Sequence, residues 1–421
     1  MAIKTFQAPR GTTDILPEEQ GYWRLFEEKA AAVAEMFGYE RIDTPIIEDA
    51  ELFVRVVGES TDIVDKETYT FEDRGGDLIT LRPEGTAPVC RAYLQNGMQN
   101  LPQPVRLYYF CPVFRYDRPQ AGRFREHHQF GVEILGDSNP VVDAEVIELA
   151  WKLLGDVGLD EFIPLVNSVG DEHCRPAYVE ALKSYFNSNV VQTCPNCPRR
   201  LEENPLRLLD CKEESCQKAI AGAPSSVEYL CSECAEHWEA LTGHLENLSI
   251  PYTVDKRLVR GLDYYTRTVF EIVPQDVGSQ STIAGGGRYD GLVEELGGRP
   301  TPGMGFGMGI ERVLMELKRK SPKIDSSKRT KVFVAYLDGF SKTAGLALCS
   351  TLREGGTTSI LAPSGRSLKS QLRYASAIRA THAVIIGERE LANRTVTVRD
   401  LNKGEQTEIL YNELQGYLVG R

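Results

Sequence analysis

A group of polar residues near position 130 has the types and spacing of a binding slot. Gln129, Gly131 and Glu133 share one face of the predicted strand 126–136, because side chains alternate along a strand. An amide and a carboxylate on either side of a glycine leave an open polar slot. Arg115 ends the partner strand, and its guanidinium suits a phosphate or a carboxylate. The pattern predicts a site for a charged small molecule, with a solvated, charged sheet face as the alternative.

Two further segments place polar side chains where a ligand could reach them. The segment LRPEGTAP (81–88) follows a predicted strand. Its Glu84 precedes Gly85 and Thr86 on a turn, which is a common place for a ligand contact, although the same residues could instead start a helix. The segment RGLDYYTRTVFE (260–271) has too many arginine, aspartate and tyrosine side chains for a plain strand. Both segments therefore join the candidate site.

Two glycine-rich segments also leave room for a ligand. AGGGRYDGL (284–292) has three successive glycines, which favour either an anion-binding nest or a tight hairpin turn. GMGFGMGIER (303–312) has glycine at every second position, so one strand face is bare and suits a flat group such as an adenine ring. Arg312 then falls in the first turn of the next helix. The sequence has neither a P-loop nor a dinucleotide-binding G-x-G-x-x-G motif in a βαβ setting.

Hydrophobic periodicity and turn residues predict the elements that position these side chains. The predicted elements are a helix over 17–37, hairpin strands over 105–116 and 126–136, a helix over 140–158, a cysteine-rich insertion over 171–247 and a linker over 321–330. After the linker, short apolar runs alternate with helical stretches. That alternation predicts a separate C-terminal α/β domain.

Composition narrows the class of protein. The 421 residues are 42% hydrophobic and 26% charged, which excludes a disordered or collagen-like chain. The net charge of −12 argues against a surface built for nonspecific DNA binding. Residues 322–421 nevertheless have 15 basic and 9 acidic residues, so their net charge is +6. The net charge of the rest of the chain is −18. Because no apolar run reaches the ~20 residues of a membrane span and no signal peptide is recognisable, we expect a cytoplasmic protein without a membrane partner.

Seven of the ten cysteines lie between positions 174 and 234. Without a secretory signal, they are expected as reduced thiols. Two C-x-x-C pairs are typical of structural zinc, so the predicted ligands are Cys194, Cys197, Cys231 and Cys234. The 33 residues between the pairs exceed the usual ~15–20, and Cys211 and Cys216 in that gap leave the ligand set open. Thiols without a metal in a small domain are the alternative.

The quoted segments together resemble the histidyl-tRNA synthetase family of class II aminoacyl-tRNA synthetases, from PRGTTDILP to the C-terminus. The helix 17–37 with YERIDTPIIE resembles motif 1, the hairpin resembles motif 2, and GFGMGIER resembles motif 3. LVRGLDYYTRTVFE and AGGGRYDGL are similar to segments specific to the histidine enzymes. The resemblance implies an α+β fold: an antiparallel sheet flanked by helices, with a small insertion domain, a C-terminal α/β anticodon-binding domain and a homodimer formed through motif 1.

The resemblance also implies an activity and a division into domains. It implies an enzyme that activates L-histidine with ATP, together with Mg²⁺, to histidyl-adenylate and pyrophosphate, and then transfers histidine to the 3′-terminal ribose of tRNA(His). No DNA partner is expected. The catalytic domain is expected over 1–170 and 251–325, the insertion over 171–250 and the anticodon-binding domain over 326–421.

Family roles carry over position by position where the motifs match. The α-amino group of histidine is expected to meet Glu84, Thr86 and Gln129, beside Gly85. The imidazole is expected to meet Glu133 and Tyr265, with Tyr264 next to them. The phosphates of ATP are expected to meet Arg115, Arg123 and Arg312. Arg260 is expected to stabilise the α-phosphate during attack, so the catalytic cations are Arg260, Arg115 and Arg312, and the first two also border the histidine. Arg118 and Gln120 are expected to approach the acceptor end of the tRNA.

Two other functions compete with this one. A non-catalytic, synthetase-like regulatory subunit of histidine biosynthesis would bind histidine without charging tRNA. Such paralogues lack the C-terminal domain and the arginine–tyrosine segment, and this chain keeps both, in 331–421 and 260–271. A pure RNA-binding protein would leave the slot of Glu84, Gln129 and Glu133 unexplained. Histidine-dependent ATP–pyrophosphate exchange separates the three functions.

Overall fold

The computed structural model describes residues 5–57, 67–117, 124–189, 194–195, 197–211, 213–275, 282–320, 330–337 and 339–419. The chain divides into two compact units, Met1–Lys323 and Ile324–Arg421. Among the described residues, no helix combines the length and the apolar composition that crossing a membrane would need.

The first unit mixes helices and strands along its whole length. Its helices are α1 (Gln20–Met36), α2 (Ala50–Val57), α3 (Thr86–Gln95), α4 (Pro140–Asp156), α5 (Arg175–Asn189), α6 (Cys197–Glu203), α7 (Glu214–Ala221), α8 (Ser232–Asn247), α9 (Leu292–Glu295) and α10 (Ile310–Lys320). Its strands are β1 (Glu40–Arg41), β2 (Ile47–Asp49), β3 (Tyr69–Glu72), β4 (Leu78–Leu81), β5 (Val105–Phe114), β6 (Glu126–Leu135), β7 (Phe162–Ser168), β8 (Thr253–Val254), β9 (Thr266–Pro274), β10 (Ala284–Arg288) and β11 (Gly303–Gly309).

A large sheet organises this unit. Within the described part of the chain, eight strands pair in the order β1-β5-β6-β11-β10-β9-β7-β8. Every pair from β5 to β7 is antiparallel, and only the short edge strands β1 and β8 pair in parallel. The predicted antiparallel sheet and the predicted hairpin, β5 with β6, are therefore confirmed. The same described residues also form a small sheet in the order β2-β4-β3.

Helices cover one face of the large sheet. The predicted first helix is confirmed as α1, whose buried stripe includes Phe26 and Val33. It packs against α4 and α10, and the Phe26 ring meets Phe130 of β6 edge to face at 6.2 Å. Because side chains alternate along β6, Gln129 and Glu133 face the opposite side of the sheet. The candidate site therefore lies on the face away from α1.

The glycine run 284–288 is a central strand, so the predicted turn or anion nest is wrong. All of β10 is buried between β9 and β11. A Cβ on Gly286 would lie 2.1 Å from the carbonyl oxygen of Gly305, and one on Gly285 would lie 2.5 Å from Nη1 of Arg260. Glycine is needed at these positions because the backbone of β11 and the side chain of Arg260 occupy the space that a Cβ would take. Composition alone does not distinguish such close packing from a turn.

We expect Gly286→Ala to lower the free energy of unfolding of the first unit by about 3 kcal/mol, because the backbone of β11 has to move to admit the methyl group. Gly291→Ala is the matched control, since nothing lies within 4 Å of a Cβ there and its φ of −85° suits any residue. Urea unfolding followed by circular dichroism measures both variants. Equal stability of the two variants would contradict this crowding.

A buried ionic network ties the sheet to two helices. Arg288 of β10 is fully buried and donates through Nε to Oδ2 of Asp143 on α4 at 3.3 Å, while its Nη2 pairs with Oδ1. His237 of α8 meets the same Oδ2 through Nε2 at 2.8 Å. The Nε2 atom of His237 is thus bound to Asp143, although the position of this histidine soon after the second C-x-x-C pair would suit a metal ligand. The network fixes the start of α8, where the chain returns from the insertion.

The insertion contains α5 to α8, of which α5, α6 and α7 surround a small core that includes Tyr178, Leu182 and Phe186, while α8 packs against α4. Its cysteines do not group as predicted. The two C-x-x-C pairs lie in different clusters of metal-ligating atoms: Cys194, Cys197, Cys211 and Cys216 in one, and Asp171, Cys174, Cys231 and Cys234 in the other. The predicted single set is wrong because the 33 intervening residues fold back on themselves, so each pair meets nearer partners.

The second unit is an α/β domain. Its strands are β12 (Lys331–Tyr336), β13 (Thr358–Leu361), β14 (His382–Ile386), β15 (Thr395–Asp400) and β16 (Gln406–Leu410), and its helices are α11 (Gly339–Glu354), α12 (Leu368–Ala377), α13 (Glu388–Asn393) and α14 (Leu414–Val419). In its described residues the strand order is β13-β12-β14-β15-β16, with the first three strands parallel. The predicted alternation of strands and helices is confirmed up to β15, but the helix predicted over 406–418 is wrong in its first part, because Gln406–Leu410 pairs with β15 as an edge strand.

Candidate active site

Glu133 lies in a buried polar pocket on the large sheet. Its Oε1 accepts hydrogen bonds from Thr86 Oγ1 at 2.7 Å and from the Tyr109 hydroxyl at 3.0 Å, and its Oε2 accepts one from Tyr289. A Cβ on Gly305 of β11 would lie 1.9 Å from Oε2. The absence of a side chain on Gly305 therefore makes room for the carboxyl group of Glu133. The sequence alone suggests that the bare glycine face makes room for a flat ligand.

The pocket changes the acidity of Glu133. Burial raises its pKa to about 8, although the hydrogen bonds from Tyr289 and Thr86 oppose that rise. At neutral pH the pocket without a ligand therefore holds mostly the protonated carboxyl group. A ligand with an N–H donor or a positive charge favours the ionised form. The pocket suits a small cationic or N–H-bearing group.

Glu84 stands at the start of helix α3, the alternative that the sequence leaves open for it. It is buried, and its carboxylate accepts from the backbone N–H groups of Thr86 at 2.7 Å and Ala87 at 2.8 Å, so it caps α3. Burial raises the pKa of Glu84, while those N–H groups and the charge on Arg115 lower it. Arg115 donates through Nε to the carbonyl of Pro83 at 2.8 Å, which brings its guanidinium to the same corner. The carboxyl group of Glu84 and the guanidinium of Arg115 thus lie at the same corner of the slot.

Arg260 is a partly buried cation whose Nε atom is buried and has unused donor capacity. Its Nη1 pairs with Glu271 of β9, and its Nε finds no partner among the described residues. Burial lowers the pKa of Arg260, but electrostatic interactions with Glu271, Tyr265 and Tyr264 together outweigh that effect, so the pKa is raised. Its guanidinium lies 5.9 Å from the ring centre of Tyr265, and it fills the space that a Cβ on Gly285 would take. A buried N–H that lacks a protein acceptor suits an anionic ligand.

A second arginine approaches from the helix that follows β11. Arg312 lies in the first turn of α10, as predicted, and its Nη1 donates to the carbonyl of Thr282 at 2.6 Å. Thr282 also donates through its hydroxyl to Glu271 at 2.7 Å. Burial, together with the charges on Arg115 and Arg312, lowers the pKa of His127 to about 3. The imidazole of His127 is therefore neutral beside the two cations.

Aromatic rings close the pocket. The rings of Tyr264 and Tyr265 lie 4.6 Å apart, and the ring of Tyr289 lies 6.0 Å from Tyr264. All three side chains are buried. Tyr109 fills the positions that Cβ atoms on Gly85 and Gly131 would take. The site is thus a polar slot with an apolar, aromatic wall.

The structure brings most of the predicted residues to this slot, and it adds others. Gln129 pairs in register with Gly309 of β11 and lies beside the space over Gly307. The predicted contacts Arg118, Gln120 and Arg123 lie outside the described residues. The residues that sequence reasoning missed are Tyr109, Tyr289, Glu271, Thr282 and His127. Cross-strand pairing of Tyr109 with Gly131 was a signal for the first, since a large side chain opposite a glycine reaches over it.

Comparison with known proteins identifies the family that shares this geometry. The family model described as Histidyl-tRNA synthetase matches residues 11–170 and 195–313, which is more than half of the chain. The chain belongs to the histidyl-tRNA synthetase family. A second family model, described as Anticodon binding domain, matches residues 331–421. The predicted family is confirmed.

Individual members of the histidyl-tRNA synthetase family are similar over nearly the whole chain. The histidine--tRNA ligase of Dehalococcoides mccartyi is 51% identical over 409 residues, 97% of this chain and 98% of the relative. That of Desulforamulus reducens is 47% identical over 413 residues, 98% and 99% of the two chains. The crystal structure of apo histidyl-tRNA synthetase from S. aureus has a TM-score of 0.83 at 36% identity and covers 98% of this chain and 100% of that chain. The predicted fold class and enzyme class are confirmed, and the regulatory-subunit alternative is not favoured.

Proposed function

We propose that the slot activates L-histidine with ATP and that the enzyme then charges tRNA(His). The observation that carries the proposal is a slot that combines the buried carboxyl group of Glu133 in one part with three arginines, Arg115, Arg260 and Arg312, in another. A single small molecule with an N–H-bearing ring, an amino group and a carboxylate is complementary to this arrangement. ATP supplies the phosphates that the arginines are suited to bind.

The histidine side chain is assigned to the Glu133 pocket. Glu133 accepts from one ring N–H, and the hydroxyl of Tyr265 is assigned to the other ring nitrogen. Glu84 and Gln129, with Thr86 and Gly85 beside them, hold the α-amino group. A site that hydrogen-bonds both ring nitrogens rejects apolar analogues by roughly 10⁴–10⁵, because its buried polar groups would be left without partners.

The phosphates are assigned to the arginines. Arg260 meets the α-phosphate with the N–H that has no protein acceptor, and Arg115 and Arg312 hold the remaining phosphate charge. Mg²⁺ binds through one or two carboxylates together with substrate phosphates. Glu271, whose oxygens accept from Arg260 and Thr282 at the edge of the slot, would supply such a carboxylate by exchanging one of these partners for the ion. When bound, the ion would neutralise phosphate charge.

The chemistry needs charge stabilisation and alignment more than proton transfer. The histidine carboxylate attacks the α-phosphorus of ATP, the bond to the β-phosphate oxygen breaks, and pyrophosphate leaves with that electron pair. No general base is required, because the carboxylate is already ionised at neutral pH. Both reactants are anionic, so the fixed cations offset their repulsion and the growing charge. A terminal ribose hydroxyl of the tRNA then attacks the histidyl carbonyl and releases AMP.

The remaining partners follow from the same proposal. The positive net charge of residues 322–421 supports contact between the anticodon stem and the domain 326–421. Arg118, Gln120 and Arg123 are assigned to the substrates near the acceptor end.

A homodimer through motif 1 is supported by exposed apolar side chains on and beside the small sheet, namely Ile46, Ile47, Phe71 and Leu78. We assign 1–170 and 251–325 to the catalytic domain and 171–250 to the insertion. The described cysteines form no disulfide, which supports a cytoplasmic site of action.

Histidine-dependent exchange of labelled pyrophosphate into ATP tests the proposal. We expect exchange that requires both histidine and Mg²⁺, followed by transfer of labelled histidine to tRNA(His). Folded protein that binds histidine but shows no exchange would overturn the proposal and favour the regulatory subunit. Exchange without transfer would contradict the assignment of tRNA(His) as the second substrate.

The acidity of Glu133 predicts how histidine affinity depends on pH. The carboxylate is the form that accepts from the ring, and with a pKa of about 8 it is the minor form at pH 7 and the major form at pH 9. The ratio of the histidine Kd of Glu133→Gln to that of the wild type is therefore expected to rise roughly tenfold from pH 7 to pH 9. Titration of histidine itself cancels in this ratio. Calorimetric binding at several pH values measures it, and a flat ratio would contradict the raised pKa.

A further inference from the structure

The insertion and its base contain two compact groups of metal-ligating atoms. The thiol cluster comprises Cys194, Cys197, Cys211 and Cys216, and the mixed cluster comprises Asp171, Cys174, Cys231 and Cys234. In each cluster the four ligand atoms lie within 4.8 Å of one another. Neither cluster belongs to the histidine slot, and the proposed reaction uses none of these residues.

Sulfur spacing in the thiol cluster matches a tetrahedral zinc site. Cys194 Sγ lies 3.4 Å from Cys197 Sγ and 3.8 Å from Cys211 Sγ, and Cys197 Sγ lies 3.6 Å from Cys216 Sγ. Four sulfurs at the usual zinc–sulfur distance of about 2.3 Å form a tetrahedron with edges of about 3.8 Å. Disulfide sulfurs would lie about 2.05 Å apart, so these pairs are not bridged. The four sulfurs enclose a space of the right size for one ion.

The surroundings of the thiol cluster also suit a structural metal site. The backbone N–H of Cys194 donates to Cys216 Sγ at 3.1 Å, as is usual where a backbone turn supports a metal-bound sulfur. Cys197, Cys211 and Cys216 are at most 3% exposed and belong to the core of the insertion. That core is small, and its helices α6 and α7 have seven and eight residues. Small modules of this kind commonly need a metal or disulfides for stability.

The mixed cluster joins the two chain segments that enter and leave the insertion. Asp171 and Cys174 follow β7, and Cys231 and Cys234 stand at the start of α8. Cys174 Sγ lies 3.4 Å from Asp171 Oδ1, and Cys231 Sγ lies 3.9 Å from the same oxygen. Cys231 immediately precedes α8, where the positive end of the helix favours anionic ligands. Three sulfurs and one carboxylate oxygen make a closed, four-ligand zinc set.

A neighbouring arginine orients the carboxylate. Nη2 of Arg267 lies 3.6 Å from Asp171 Oδ2, which leaves Oδ1 facing the sulfurs. Arg267 has a φ of 49°, an uncommon conformation that two backbone hydrogen bonds support: Arg267 N–H donates to Gly170 at 2.7 Å, and Val169 N–H donates to Arg267 at 2.8 Å. Such outer-shell partners commonly fix a metal ligand. The carboxylate is therefore held in the orientation that an ion would need.

We propose that each chain binds two structural zinc ions, one in the thiol cluster and one in the mixed cluster. Zinc is the metal that fits four-coordinate sites of sulfur ligands with at most one carboxylate. Both sets are closed, so the ions fold the module and take no part in the reaction. The thiol-cluster ion holds α6 and α7 together. The mixed-cluster ion fixes the base of the insertion beside Arg175, which donates to the carbonyl of Tyr265 at 2.7 Å.

Metal analysis of the full chain, purified without chelator from zinc-supplemented cultures, tests the proposal. We expect two zinc equivalents per chain. X-ray absorption is expected to show seven sulfur ligands and one oxygen ligand shared by the two ions, with zinc–sulfur distances of about 2.3 Å. Cys211→Ala is expected to retain one ion with three sulfurs and one oxygen. Cys234→Ala is expected to retain one ion with four sulfurs. Cys349→Ala in the second unit is the matched control and is expected to keep both ions.

Three outcomes would overturn the proposal. They are less than a fifth of an equivalent of zinc in the wild type, a single equivalent that either Cys211→Ala or Cys234→Ala abolishes, and the same ligand composition in both variants. Titration of the folded wild type with an organomercurial does not depend on the variants folding. It is expected to release two equivalents of zinc to a metal-sensitive dye, and release of none would contradict both sites.

Discussion

Replacing Arg260 by glutamine is expected to lower the rate of histidine-dependent ATP–pyrophosphate exchange by roughly 10²–10³-fold, the usual cost of removing one preorganised donor from a developing charge. Glutamine keeps much of the length of the side chain and removes its charge. The α-phosphate would lose the cation that meets it as the histidine carboxylate attacks. Exchange at saturating histidine and ATP measures the effect, and the KM for histidine is expected to change much less than the rate.

The matched control is Arg257→Gln, which removes a nearby arginine whose side chain is 45% exposed and pairs with Asp255. An exposed pair of this kind contributes little, so the exchange rate is expected to stay close to that of the wild type. Because Arg260→Gln leaves the partly buried Glu271 without its cation, urea unfolding of this variant is measured beside its exchange rate, which separates folding from catalysis. If Arg260→Gln is as stable as the wild type and exchanges at a comparable rate, Arg260 is not the α-phosphate cation.

The sequence predicts the parts of the fold that depend on local pattern. The buried stripe of α1 follows its apolar periodicity, and β5 and β6 are long β-rich runs on either side of one polar loop, so both features are visible in the sequence. β10 is different, because its glycines leave the room that Phe306 on the next strand and Arg260 in the slot occupy. Both contacts are distant in sequence. A run of glycines therefore predicts close approach correctly but does not say what approaches.

The same distinction applies to the candidate site. Glu133, Arg115 and Arg260 belong to segments that are rich in polar side chains, so residue type alone indicates them as candidates, although a solvated, charged face is the alternative. Tyr109 and Tyr289 look like ordinary strand and core residues until the register and the turn after β10 bring their hydroxyls to one carboxyl group. Their role depends on pairing across the sheet, which the sequence does not display.

The cysteines show most clearly what the sequence alone does not predict. A C-x-x-C pair predicts a local knuckle correctly, because three-residue spacing brings two sulfurs together in one turn. Which knuckles share an ion depends on the path of the intervening chain. Here that path returns Cys211 and Cys216 to Cys194, and leaves Cys231 with Asp171. Asp171 had no signal of its own, although Asp171-x-x-Cys174 has the spacing of a knuckle.

Replacing Glu133 by glutamine is expected to lower kcat/KM for histidine in the exchange reaction by about a hundredfold, which is the loss of a charged, buried hydrogen bond of about 3 kcal/mol. The amide keeps the shape of the side chain, but it has one acceptor oxygen where the carboxylate has two. Thr86, Tyr109 and Tyr289 already donate into this group. The glutamine NH₂ therefore leaves one of those hydroxyls, or the ligand ring N–H, without an acceptor. The KM for ATP is expected to change less than threefold, because Glu133 lies in the histidine pocket and not among the arginines.

Glu294→Gln on α9 is the matched control, since this carboxylate is exposed and its loss should leave both substrates unaffected. Tyr289→Phe provides an intermediate case: it removes one donor to the carboxyl group but keeps the acceptor for the ring, so a smaller loss in kcat/KM for histidine is expected. Equal losses for histidine and ATP in Glu133→Gln would show a general collapse of the slot. A Glu133→Gln enzyme that keeps its histidine kcat/KM would place the imidazole elsewhere. The order wild type, Tyr289→Phe, Glu133→Gln in falling histidine kcat/KM, at constant KM for ATP, is the result that this pocket requires.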